Sequence, residues 1–150
     1  MGLDRLRTFL RRHRRIALDT SVFIYQLEEN PRYLPFTDHI FSALERPGCE
    51  AVTSTITMTE LLVQPYRDSD ELRVDEFYAL LSTYPNLQWI APTLEIADLA
   101  ARIRAMHCLR TPDALQAATA AHARAGGLIT NDPIFERVDS FETLVLERLR

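Results

Sequence analysis

The chain contains no lysine: all 17 of its basic residues are arginine. That absence removes Schiff-base chemistry and the phosphate-binding P-loop, both of which require a lysine amine. Glycine is almost as scarce, with Gly2, Gly48, Gly126 and Gly127 the only four in 150 residues. No pair of them has the spacing of a dinucleotide-binding turn. Two cysteines, Cys49 and Cys108, make neither a disulfide framework nor a metal-site spacing, and are expected to be reduced packing residues. No apolar run approaches the ~18 residues of a membrane-spanning helix. The N-terminus lacks the apolar core and small residues of a signal peptide. A cytoplasmic protein with no membrane partner is the expectation.

What is present is ordinary in amount and uneven in distribution. The hydrophobic fraction of 47% and charged fraction of 25% fit one globular domain spanning 1–150. The net charge of −4 conceals an asymmetry. Residues 1–15 hold six arginines and only Asp4 as an acid, while residues 16–150 hold eleven arginines against twenty acids. An acidic chain is a poor general binder of nucleic acid, because affinity for phosphate comes from released counterions. A local basic segment can still guide a polyanion. The Arg-rich residues 1–14 are read as an N-terminal extension, a solvated helix with Leu3, Leu6 and Leu10 packed down.

Short apolar runs alternate with helical periodicity along the whole chain. Strands are expected at 15–18, 51–54, 87–90, 128–130 and 141–146. Helical stretches are expected at 21–27, 34–44, from Thr57, at 70–84 and 94–109, and from Pro112 to the Gly126-Gly127 stop. Over 70–84 the periodicity points Leu72, Phe77, Leu80 and Leu81 inward and Asp75 and Glu76 outward. Trp89, Phe77 and Tyr78 read as packing residues. Phe23, Tyr25, Phe36 and Phe41 fit either the core or a groove for a partner helix. Strands alternating with helices imply an α/β fold with a central parallel sheet of about five strands, covered on both faces. In such sheets sites form beyond the carboxyl ends of the strands.

Four acids are expected at that edge. Asp19 closes the first strand and Asp132 follows the fourth. Asp113 lies in the first turn of the helix opened by Pro112, and Glu60 lies early in the helix after the second strand. Each has a structural role to offer on its own: Asp19 as a helix cap, Asp113 on a helix dipole, Asp132 as a turn residue, Glu60 as a solvated position. Taken together, four carboxylates on one rim repel one another and raise each other's pKa unless a cation neutralises them. All-oxygen ligands favour Mg²⁺ or Mn²⁺. Such an ion polarises a phosphoryl oxygen and orients water, which makes phosphodiester hydrolysis the natural chemistry.

The segments around these acids resemble the PIN-domain ribonucleases, particularly the VapC-type toxins of bacterial toxin–antitoxin pairs. They are Ile16-Ala17-Leu18-Asp19-Thr20-Ser21-Val22-Phe23-Ile24-Tyr25, Ser54-Thr55-Ile56-Thr57-Met58-Thr59-Glu60-Leu61, Pro112-Asp113-Ala114-Leu115-Gln116-Ala117-Ala118-Thr119-Ala120 and Leu128-Ile129-Thr130-Asn131-Asp132-Pro133-Ile134-Phe135. They occur in order, with successive acids 41, 53 and 19 positions apart. The resemblance implies a three-layer α/β/α sandwich and a Mg²⁺- or Mn²⁺-dependent endoribonuclease. It implies Asp19 and Asp113 as principal metal ligands, Glu60 and Asp132 as the rest of the acidic pocket, and Thr20 and Thr130 as orienting groups. It also implies an RNA substrate, a small antitoxin partner and a homodimer.

The chain departs from the family pattern twice. Ser21 stands where Asn is common, and Pro133-Ile134-Phe135 where a further acid often follows. A haloacid-dehalogenase-type phosphatase requires a second Asp where Ser21 stands, and a lysine; a phospho-receiver domain requires the same missing lysine. The remaining alternatives are an RNA-processing PIN nuclease without a toxin role and a non-catalytic PIN-like binding module.

Overall fold

A computed structural model describes residues 1–150. Its centre is one sheet of five parallel strands, β1 (Arg15–Leu18), β2 (Glu50–Ser54), β3 (Leu87–Ile90), β4 (Gly127–Thr130) and β5 (Glu142–Val145), in spatial order β3-β2-β1-β4-β5. Seven helices surround it: α1 (Gly2–Arg12), α2 (Thr20–Leu27), α3 (Leu34–Leu44), α4 (Ile56–Arg67), α5 (Glu71–Ser82), α6 (Leu94–His107) and α7 (Thr111–His122). Short 3-10 turns occupy Pro133–Arg137 and Leu146–Leu149. The expected three-layer α/β/α sandwich is therefore the fold. No helix is long and apolar enough to cross a membrane.

The pleat of each central strand sorts side chains onto two faces. Ile16, Leu18, Ala51 and Ile129 join a core with α1, α2 and α3. Their neighbours Ala17, Val52 and Leu128 join a second core with α6 and α7. Both faces are dry, which is why these strands read as continuous apolar runs. Ala114, Ala117, Ala118 and Ala120 are all fully buried, and these small side chains allow α7 to lie between the sheet and α6.

Several expectations need correction. Leu72 and Leu80 are exposed, and Val74 and Leu81 are the buried residues of α5. The helix is short, so its apolar residues outnumber the positions its inner face supplies. Tyr78 is likewise exposed, whereas Trp89 packs on the first core and donates its indole N–H to the Leu81 carbonyl at 3.0 Å. Phe23, Phe36 and Phe41 are buried in that core and cannot form a partner groove. Cys108 is exposed and caps α6 in the left-handed region at φ 59°, so it is not a packing residue.

Helix α7 ends at His122, before the glycine pair. Neither Gly126 nor Gly127 has a positive φ; both serve close approach instead. A Cβ on Gly127 would fall 2.4 Å from Phe9 Cζ, and one on Gly126 would fall 2.6 Å from His13 Nδ1. The basic N-terminal segment is thus built into the fold: Leu6, Phe9 and Leu10 of α1 are buried, and only its arginine face is solvated.

Candidate active site

Strand order reverses between β1 and β4, because the chain proceeds from β1 to β2 and β3 on one side and returns to add β4 and β5 on the other. A crevice opens at the carboxyl ends of strands at such a switch point. Asp19 stands there. Its backbone N–H donates to the Ile129 carbonyl at 3.0 Å, fixing it beside β4. It is also the N-cap of α2, with Oδ1 accepting from the Thr20 N–H at 2.9 Å. Its other oxygen, Oδ2, accepts from Thr130 Oγ1 at 2.7 Å. Cap and functional position therefore coincide in one residue.

The other acids reach the same place by different routes. Asp113 arrives in the first turn of α7, where the helix dipole favours a carboxylate. Asp132 follows β4, and its Oδ1 accepts from the Ile134 N–H at 3.0 Å to start the 3-10 turn. Glu60 projects from α4 and accepts from Thr20 Oγ1 at 2.7 Å. All four carboxylates line one open cleft of about 430 Å³, together with Tyr25 and Arg110. They gather as expected, but not as a finished cage, since no three acid, imidazole or thiol groups converge into a ready metal-ligand set.

Electrostatics show the cost of the arrangement. Burial, the largest cause, pushes the Asp19 carboxyl up to about 6, and the charges of Asp113 and Glu60 add to the rise. The Thr130 and Thr20 hydrogen bonds oppose it, since they favour the ionised form. Asp113 is also raised, first by burial, with Asp132 adding repulsion and Arg110 opposing. Arg110 Nε lies 3.4 Å from Asp113 Oδ2, but its side chain is 80% exposed, so this pair compensates little.

A buried polar layer supports the acids from below. Thr53 Oγ1 donates to the Leu18 carbonyl at 2.8 Å and pairs with Thr57 Oγ1 at 2.7 Å. Gln116 donates through Nε2 to Thr57 Oγ1 and accepts from the Ser54 N–H at 3.2 Å. This layer ties β1, β2, α4 and α7 together beneath Asp19, Glu60 and Asp113. Asn131 joins in from the side: its Nδ2 donates to the Tyr25 hydroxyl at 2.9 Å and its Oδ1 accepts from the Glu147 N–H at 2.8 Å. Tyr25, Asn131, Gln116, Thr53 and Thr57 were missed as site residues in the sequence. Asn131 and Gln116 lay inside the quoted motifs, and their polar side chains amid apolar neighbours were the available signal. Tyr25 lay at the end of the first motif, where a tyrosine reads as readily as a packing residue.

The donor set suits a hard divalent cation. Every charged group on the cleft wall except Arg110 is a carboxylate, and the two most perturbed, Asp19 and Asp113, are short of neutralising charge. Ser21 Oγ is buried against this wall with no hydrogen-bond partner. A buried hydroxyl without a protein partner leaves room on this wall for a water or an ion's hydration shell to hydrogen-bond. Mg²⁺ is commonly held by one or two carboxylates and several waters, so a partly assembled carboxylate set is compatible with it.

Comparison with known proteins gives the family and the fold. Residues 16–140 match the PIN domain, and the chain belongs to that family. Its fold is shared with several solved bacterial proteins. A toxin–antitoxin complex from Klebsiella pneumoniae aligns at 21% identity and TM-score 0.64, over 87% of this chain and 97% of that one. FitAcB from Neisseria gonorrhoeae aligns at 21% and 0.67 over 88% and 98%. VapBC-1 from nontypeable Haemophilus influenzae aligns at 18% and 0.67 over 89% and 98%. No curated protein sequence matches the chain.

Proposed function

We propose that this protein is a Mg²⁺- or Mn²⁺-dependent endoribonuclease acting as the toxin of a type II toxin–antitoxin pair. The observation that carries the reading is the convergence of Asp19, Glu60, Asp113 and Asp132 on one cleft at the sheet's switch point. PIN domains are generally nucleases, and the solved structures that share this fold include a toxin–antitoxin complex from Klebsiella pneumoniae and a member of the VapBC family of toxin–antitoxin systems from Mycobacterium tuberculosis. All four acids are present, which favours an enzyme over a non-catalytic PIN-like module.

In this reading Asp19 and Asp113 hold the divalent ion. When bound, the ion supplies positive charge to the phosphoryl oxygens and to the departing oxygen. Thr130 and the Thr20 N–H each occupy one lone pair of Asp19, which sets the carboxylate plane and leaves its remaining lone pairs for the cation. Thr20 spans two acids, since its N–H serves Asp19 and its hydroxyl serves Glu60. It therefore fixes their relative orientation. Glu60 and Asp132 accept hydrogen bonds from the attacking water and align it with phosphorus. That water gives a proton to one of these carboxylates as its oxygen bonds to phosphorus, the P–O bond to the leaving ribose oxygen breaks, and that oxygen takes up a proton from solvent, so that one phosphate end and one hydroxyl end result. Arg110 swings from Asp113 to the substrate phosphate, a short move for an exposed guanidinium.

Leu72, Tyr78 and Leu80 on α5 and Tyr66 on α4 are exposed, which supports docking of a protein partner. We assign an antitoxin partner on that basis and on the toxin–antitoxin complex among the structures that share this fold, and a homodimer on the family resemblance alone. Incubating RNA with wild-type protein, with Asp19→Asn, and with excess chelator tests the activity. Cleavage with Mg²⁺ that disappears in the variant and in chelator is expected. Undiminished cleavage in chelator refutes the reading.

A further inference from the structure

The acidic cleft poses a problem that the proposed activity leaves open. Four carboxylates repel a polyanion, Arg110 is the single cation among them, and one divalent ion would still leave the cleft at a formal charge of about −1, three positive charges against four negative. Affinity for RNA depends on cations that release counterions from phosphates, so it must come from elsewhere on the molecule.

The opposite end of the sheet supplies it. There, ahead of β1 and β2, a cleft of about 620 Å³ is lined by Arg7, Arg11, Arg14 and Arg46, with His39 at its wall and no Asp or Glu. Arg7 and Arg11 lie one helical turn apart on α1, Arg14 on the segment leading to β1, and Arg46 beyond the end of α3. Arg7 has a 3.4 Å contact with Asp4, and Arg11 donates at 3.3 Å to Thr8 Oγ1. Neither Arg14 nor Arg46 has an acid beside it in the cleft. His39 is held below its ordinary pKa, first by burial and then by the charges of Arg7 and Arg46, so these guanidiniums act on a common space. Like charges spaced i,i+4 on a helix, as Arg7 and Arg11 are, destabilise it. Their placement in a chain of net charge −4 is therefore not neutral for folding.

We propose that the cleft lined by Arg7, Arg11, Arg14 and Arg46 binds the phosphate backbone of single-stranded RNA, and so supplies the substrate affinity that the carboxylate cleft lacks. The proposal rests on the ribonuclease reading for the identity of the polyanion. Arginine is suited to the role, since its planar fork pairs two-pronged with phosphate oxygens and its charge is permanent. The strands between the clefts are four or five residues long, which separates the sites by at least about 13 Å. An RNA bound at both therefore runs along the flank of the molecule. The arrangement favours substrates long enough to reach both ends.

The test measures RNA binding in chelator with Asp19→Asn protein, where cleavage is silent. A labelled single-stranded RNA is titrated across a range of salt concentrations. Four neutralised phosphates give a slope of about −2.8 in log K against log salt, and the triple change R11Q/R14Q/R46Q reduces its magnitude by about 2. The matched variant R11K/R14K/R46K, which keeps the charges, restores the slope. A polyglutamate peptide of equal charge serves as the competing polyanion. An unchanged slope in the glutamine variant overturns the proposal, as does a loss that lysine does not restore. So does a loss confined to polyglutamate, which would mark a site for an acidic protein segment. Failure of the ribonuclease reading shows separately, as absence of metal-dependent cleavage by the wild-type chain.

Discussion

Asp19→Asn tests the electrostatics of the cleft without reference to catalysis. The Asp19 carboxyl sits at about 6 in the folded protein against 3.8 for a free side chain. A raised acid binds more protons folded than unfolded, so it lowers stability as pH rises from about 4 to about 6, and the whole penalty persists above that window. The shift corresponds to about 3 kcal/mol above pH 7. Asparagine carries no charge and escapes that penalty. It cannot accept from both Thr130 Oγ1 and the Thr20 N–H as the carboxylate does, and one lost hydrogen bond costs about 1 kcal/mol. In chelator near pH 8 the variant should therefore be more stable than wild type by about 1–2 kcal/mol. Near pH 4 the advantage should vanish or reverse, because wild-type Asp19 is then largely protonated. Urea unfolding of both proteins at the two pH values gives the numbers. A variant that is less stable than wild type by the same amount at both pH values refutes the reasoning, since Asp19 would then be acting only as a helix cap.

Other consequences follow from neighbouring contacts. Saturating Mg²⁺ should raise the wild-type Tm, because only the folded chain assembles the site, and Asp113→Asn should lose most of that shift together with cleavage; a full shift in the variant would remove Asp113 from the ligand set. Thr130→Val deletes a hydrogen bond that favours the Asp19 carboxylate, so Asp19 in metal-free protein should titrate above its wild-type value, as read by carboxyl NMR; a downward shift contradicts the assigned role. Gly127→Ala drives a Cβ into the buried Phe9 ring and should cost about 1–3 kcal/mol, with part of the loss recovered in a Phe9→Leu background; additive effects in the double mutant would mean the two residues do not clash.

Much of the fold was legible because both sheet faces are dry. Ile16-Ala17-Leu18 and Leu128-Ile129 read as buried parallel strands from their apolar runs alone. Helix α5 was harder. Its apolar residues exceed what its inner face buries, and periodicity cannot say which of Leu72, Val74, Leu80 and Leu81 the sheet will cover. The glycine pair was misjudged for a related reason. A glycine signals a turn in local reasoning, but Gly126 and Gly127 make room for His13 and Phe9, more than a hundred residues away in sequence.

At the site, Asp19, Glu60, Asp113 and Asp132 were legible because each follows a strand or opens a helix, so that topology alone carries them to one edge. The supporting layer was not. Thr53, Thr57 and Gln116 meet across two helices and two strands, and nothing local distinguishes a threonine that joins such a layer from one on a solvated turn.

The most direct measurement of the central claim is anomalous diffraction from a crystal soaked in Mn²⁺. The account predicts a peak in the cleft at the switch point, with oxygens of Asp19 and Asp113 at about 2.2 Å and the remaining positions filled by water. A soaked crystal with no peak in that cleft, or with manganese bound only at other carboxylates, contradicts it.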